Sequence, residues 1–313
     1  MEEFPPRHAG SSPQRKHGLV YRAVLVVALC TAAVLGGALA LGDPRISQLL
    51  TQGQGPGQVP EHSQAQPEAG REDPLPGLAG EPSAASTEAP PPGYEEEPVP
   101  LAEPEVPAAG SDSYRFLAVN GDGTPVGYSP CRPLHYEVND QLAPEGSERL
   151  VPNAISIISA ATGITFVYDG TTGEQPSPQR AAYQPSAYGE RWAPLLIAWT
   201  TPEASPELAG KVIGTGGSTH FSFDGGPKTF VTGSLDLDAP QITDELRQPD
   251  GRLYAAAVIL HELGHVMGLD HVADPAQLMY PEIGGSVGAS GSLADGDRNG
   301  LYELSKAQCR KDL

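Results

Sequence analysis

The stretch HELGHVMGLDH, residues 261 to 271, holds three of the chain's eight histidines, and it restricts what the surrounding residues can become. The run LYAAAVIL just before it, from Leu253, is apolar and predicts a buried helix continuing through the histidines. Residues four apart lie one above the other on a helix face, so His261 and His265 would project side by side. Gly268 marks the helix end, where the left-handed backbone is costly for any residue with a Cβ. Beyond that exit, His271 can swing back toward the first two histidines. The domain must therefore provide a buried helix, a sharp turn out of it and a loop returning over its histidine face.

Three imidazoles brought together in this way can bind one metal ion at roughly the 2.0–2.1 Å of zinc–nitrogen bonds. Glu262, next to the first ligand, can face the same centre without binding the ion. This is the HExxH arrangement of zinc peptidases. Three protein ligands leave a position open, which separates a catalytic zinc from a closed structural one. HExxH alone is weak, because short patterns arise by chance. Here it carries Gly268 and His271, lies on an apolar helix and is followed by LMYP. A helix with solvated histidines would not explain why Glu262 and all three histidines fall in register.

With HELGHVMGLDH and DPAQLMYP quoted, the sequence resembles the metzincin metallopeptidases, and within them the matrixins. The resemblance runs from about Cys131 to Leu304. It implies a tight turn beneath the metal built on Met279, with Tyr280, Pro281 and Glu282 forming the wall of a substrate pocket. It also implies that GTGGSTHF, residues 214 to 221, is the edge strand above the active site. Val272 departs from the serine usual in animal matrixins and points to a divergent, bacterial-type branch. No cysteine-plug motif precedes the domain, and Cys131 reads as structural. Of the ligands for a second, structural zinc only His220 is at a comparable place, so a single catalytic zinc is expected.

Calcium is not expected either. DGDRNGLYELSK matches a calcium loop at its first positions, but Lys306 stands where a bidentate glutamate is needed. Ser292 and Asp295 read instead as a helix-capping pair.

The remaining sequence divides by composition. Residues 1–22 form a short basic tail. Residues 23–42, AVLVVALCTAAVLGGALALG, are twenty without a charge, enough to span a bilayer as a signal-anchor. Basic residues before the span place the long C-terminal part outside the cell. The alternative is a secreted protein after signal cleavage near ALA at 38–40. From Asp43 to Asp112 there are 13 acidic residues, 2 basic ones and 14 prolines, which reads as a disordered spacer. The net charge of −20 argues against nucleic acid as a partner. An exported domain permits a disulfide, and Cys131 and Cys309 nearly bracket the folded part, residues 113–313.

Within that part, LHYEVN, ITFVYDG, LLIAWT and FVTGSLDLDA read as strands. SERLVPNAISIISAATG and the histidine segment read as helices, and a last helix fits GLYELSKAQC. The expected fold is α+β, and the resemblance makes it zincin-like, a twisted, mostly parallel sheet packed on helices. The expected function is that of a membrane-tethered extracellular zinc endopeptidase, monomeric, acting on an extended peptide with Glu262 as general base. The rival from another class is a tethered binding protein stabilised by zinc without chemistry. A peptidase taking a distant glutamate as third ligand is disfavoured by the spacing of His271.

Overall fold

The computed structural model describes residues 88–283 and 291–313. The expected tail (1–22), membrane span (23–42) and first part of the spacer (43–87) lie outside the described residues. Among the described residues, no helix is long and apolar enough to cross a membrane.

One five-stranded sheet organises the domain. Its strands are β2 (Leu134–Asn139), β3 (Phe166–Thr171), β4 (Leu195–Thr200), β5 (Gly214–Phe221) and β6 (Thr229–Asp238), in the order β3-β2-β4-β6-β5. Four run parallel, and β5 lies antiparallel at the edge. β4, LLIAWT, is buried throughout, as its unbroken apolar run requires in a strand covered on both faces. β6 alternates, sending Leu235 and Leu237 into the core and Asp236 toward the other face.

Helices cover the inner face. α1 (Leu150–Thr162) buries Leu150, Val151, Ala154, Ile155, Ile158 and Ala161, the stripe its spacing predicts. It stops at Gly163, whose φ of 68° carries the chain out in the left-handed region. A short α2 (Pro185–Tyr188) precedes β4, and α3 (Ala239–Glu245) follows β6, capped by Asp238 through Gln241 N–H at 2.8 Å. α4 (Gly251–Met267) carries the histidines and is buried along most of its length. It packs between β5 and α1, so the sheet edge and the histidine face meet. The domain closes with α5 (Asp295–Leu304). This last helix starts on Ala294, not on the expected Ser292. Its third residue, Asp297, accepts from Ala294 N–H at 2.8 Å. Asp297 rather than Asp295 does so because its carboxylate is already fixed by the neighbouring turn.

The expected disordered spacer needs correction at its C-terminal end. Residues 88–112 are docked on the domain. Gly93 N–H donates to Leu313 O, Glu97 N–H to Cys131 O, Leu101 N–H to Pro130 O and Glu105 N–H to Ala160 O. The acidic run 95–97, which composition alone makes self-repelling, has separate partners. Glu95 Oε1 lies 3.5 Å from His135 Nε2. Glu96 is half-buried and accepts from the Ser129 hydroxyl and from Arg310 N–H. Composition misses this because the partners come from sequence positions 29 to 220 residues away. The Cys131–Cys309 disulfide, Cα atoms 5.2 Å apart across a separation of 178 residues, holds those partners together. On the chain-entropy model a loop of that length contributes about 5 kcal/mol.

Removing residues up to 112 is therefore expected to destabilise the domain relative to a chain starting at 88. Losing these hydrogen bonds should cost about 3 kcal/mol, or roughly 6–12 °C in Tm for a domain of this size. Equal melting temperatures would show that the strap contributes nothing.

The strap ends in β1 (Arg115–Phe116), which pairs antiparallel with β7 (Leu269–Asp270). Leu117 N–H donates to Gly268 O. The chain leaving α4 is thus gripped just before His271.

Candidate active site

The three histidines converge as the spacing requires. His261 Nε2 lies 3.2 Å, and His265 Nε2 3.1 Å, from His271 Nε2. A tetrahedral zinc with nitrogens at about 2.0–2.1 Å needs its ligand atoms about 3.3–3.4 Å apart, so the spacing fits. The other nitrogens of the two helical rings are engaged. His261 Nδ1–H donates to Leu278 O at 2.6 Å, and His265 Nδ1–H to Leu269 O at 2.8 Å. These bonds fix the tautomer and aim both Nε2 lone pairs at one point, as in metal-binding histidines. Burial, foremost, lowers the pKa of all three rings, well below the ordinary value for His261 and to about 4 for His265. Neutral imidazoles are what a metal needs. His261, His265 and His271 would hold the zinc ion.

Gly268 sits at φ 116° and its N–H caps the Gly264 and His265 carbonyls. A Cβ there would also approach Phe230 Cε2 to 3.0 Å. Only glycine suits this exit.

Met279 lies beneath α4. A methyl group added at Gly264 would come within 2.5 Å of its Sδ. Val272 N–H donates to Met279 O, so the returning loop is bonded to this turn. The turn is anchored by a residue that sequence reasoning assigned no role. Asp297 is 1% exposed, and its carboxylate accepts from Leu278 N–H at 2.8 Å and Met279 N–H at 3.1 Å as well as from Ala294. Leu278 in turn accepts from His261, so Asp297 acts on the metal site through two bonds. The sequence offered little signal for it, because Asp297 stands in the polar run DGDRNG and a calcium-loop template covered it.

Asp297→Ala would strand three backbone N–H groups in or near the core. Metal affinity should fall about 10–100-fold, as when outer partners of ligands are removed. Chelator competition measures it, and unchanged affinity would mean that the turn holds without Asp297.

His220, weighed above for a second metal, is buried on β5. Among the described residues no group of three or more candidate ligands includes it. Asp297 is committed to the turn, and Asn299 donates to Ala109 O and Asp295 O.

Glu262 is buried and directed at β5. A Cβ on Gly216 would overlap the Glu262 carbonyl, and one on Gly214 would come within 2.9 Å of its Cγ. The two glycines let the edge strand touch the helix here. Burial pushes the Glu262 carboxyl up to about 8, and the Gly216 N–H bond pulls the other way. A bound dication nearby would favour the carboxylate.

Beside the triad lies a cleft of about 220 Å³. Val212, Ile213, Val258 and Ile283 give it apolar walls, Tyr254 and Pro281 add to them, and Lys211 and Glu282 are at its exposed rim. Of the three expected wall residues, the structure brings Pro281 and Glu282 to the cleft and leaves Tyr280 outside its lining. Ile283, one residue beyond the expected wall, is there instead. A larger cavity of about 400 Å³ lies on the opposite, outer face of β5 and β6, away from the histidines.

Residues 205–305 match the matrixin family model. Matrilysin from Felis catus is 37% identical over 94 residues, 29% of this chain and 33% of that protein. Matrix metalloproteinase-25 from Mus musculus is 27% identical over 175 residues, 54% of this chain and 25% of that protein. The chain thus spans a third or less of these relatives' length. Among solved structures, archaemetzincin from Methanopyrus kandleri is similar at a TM-score of 0.35 and 16% identity, over 56% of this chain and 96% of that one.

Proposed function

We propose that residues 205–305, which match the matrixin family model, belong to a metzincin-like domain and that the chain is a zinc-dependent endopeptidase acting on extended peptides. The observation that carries this reading is the convergence of His261, His265 and His271 with Glu262 beside them as a buried carboxylate that is not a ligand. A bound zinc ion supplies Lewis acidity toward a carbonyl and acidifies water. Everything else is this chain's own. Among the described residues the outer edge of β5 pairs with no other strand, and it can align a substrate strand by main-chain hydrogen bonds. The apolar cleft walls receive a side chain and exclude water. Glu262 accepts the proton of the attacking water and returns it to the leaving nitrogen. Its packing against Gly214 and Gly216 of β5 supports a role beside the substrate-binding edge.

In the same reading the catalytic domain is monomeric, is held outside the cell by the apolar segment 23–42 and is linked to it by residues 43–87. The rival, a zinc-stabilised binding protein, leaves Glu262 without a purpose. Metal analysis, together with cleavage of an unbiased peptide library by the full chain and by Glu262→Ala, tests the proposal. Zinc bound without cleavage of any peptide would favour the rival.

A further inference from the structure

We propose that the cavity on the outer face of β5 and β6 is a substrate subsite that takes a basic side chain, a guanidinium or ammonium group, from a peptide laid along the free edge of β5. The proposal rests on the peptidase reading for the source of that side chain. The cavity itself is a feature of the fold.

Its floor is set by the pleat. Gly214, Gly216 and Ser218 face α4, where Ser218 Oγ donates to Val266 O at 2.7 Å. Thr215 and Gly217 therefore face outward, and in the antiparallel register they pair with Asp236 and Ser234. Asp236 is 8% exposed and lines the cavity. Its Oδ2 accepts from Ser205 Oγ at 2.7 Å, while Oδ1 is buried with no hydrogen-bond partner. A buried carboxylate oxygen left without a donor is costly, and it favours any ligand that brings one.

The surroundings select the sign of that ligand. Glu207, exposed at the wall, adds a second acid. Arg180, the one basic side chain among the described residues lining the cavity, is already held by Glu174 through bonds of 2.8 and 3.0 Å. Thr215, Thr219 and Ser234 add side chains with hydroxyl groups to the lining. Burial, foremost, and then Glu207 raise the Asp236 carboxyl to about 6, so above that pH it is charged and awaits a cation. Such a site fits several N–H donors on one positive group.

Placement links the cavity to substrate. A strand added at the edge of β5 lies two spacings, about 10 Å, from β6, a gap that only the longest side chains bridge. Thr215 stands directly across from Asp236, but Gly217, the next outward residue of β5, has no side chain and leaves a diagonal way open. Lysine and arginine are the residues that combine such length with positive charge.

The test uses the full zinc-loaded chain as Glu262→Ala, so that peptides bind without being cut. Arginine is walked through each position of one peptide, and each arginine is compared with neutral citrulline by fluorescence anisotropy. One register should bind about tenfold more tightly with arginine. Asp236→Asn should erase that preference without changing affinity for the citrulline peptide. Glu207→Gln, on the exposed wall, should reduce it and covers the case in which Asp236→Asn fails to fold. No arginine preference at any register, or a preference surviving Asp236→Asn, overturns the subsite. Occupancy of Asp236 by a divalent cation that abolishes the preference also overturns it. Arginine preference in a wild type that cleaves nothing would remove the peptidase reading and leave the subsite, and cleavage without that preference would do the reverse.

Discussion

Glu262→Ala is expected to reduce peptide hydrolysis by about 10⁴-fold while leaving zinc and fold in place. The carboxylate is not among the converging ligand atoms, and both helical histidines keep their Nδ1 bonds to Leu278 and Leu269 without it. Burial raises the pKa of the Glu262 carboxyl, so holding its charge costs the fold, and a methyl group in its place removes that cost. What disappears is the proton acceptor for the attacking water and the donor to the leaving nitrogen. General acid–base catalysis is typically worth about 10²–10⁴-fold, and one group serving both transfers places this variant at the upper end. Cleavage rates on the best library peptide and zinc content per chain are the two readings. Loss of zinc along with activity would show that Glu262 holds the site together. Retained activity would mean that another group moves the proton.

The parts of this domain that could be read in the sequence are those in which local pattern and tertiary environment agree. α1 shows its buried stripe at helical spacing, and β4 shows a run apolar on every residue before Thr200 because both of its faces are covered. The histidine cluster was legible for the same reason. His261 and His265 need only the helix repeat, and His271 only a sharp exit at Gly268. What could not be read depends on partners distant in sequence. Glu95, Glu96 and Glu97 look like a solvated charge run until Cys131, His135 and Arg310 are brought beside them. Asp297 looks like part of a surface loop until the Met279 turn is placed over it. The shift of the cleft wall from Tyr280 to Ile283 has a similar origin, because a pocket's lining depends on how a turn is seated. Asp236 gave an alternating pattern, and from that pattern alone its face could be assigned but not its unpaired oxygen.

His271→Ala is the second large effect, and it should remove the zinc. Two histidines on one helix turn form a chelate too poor to hold a catalytic ion against competing buffers, and the third nitrogen, 3.1–3.2 Å from the other two, completes the set. The variant's loop is still tethered by β7 pairing with β1 and by Val272 N–H to Met279 O, so folding should survive. Stability should not survive unchanged, because an ion that binds only the folded chain stabilises it by mass action. Free zinc at a thousand times its Kd contributes about 4 kcal/mol, which at this domain size is roughly 8–16 °C of Tm. The wild type stripped by a chelator should therefore melt near the variant, and the chelator should leave the variant's own melting temperature unmoved. Two results would sink the assignment. Full zinc content in His271→Ala would point to another third ligand, with Glu282 at the rim of the same cleft the first to test. A wild type whose melting is indifferent to chelation would show that no ion binds the three histidines at all.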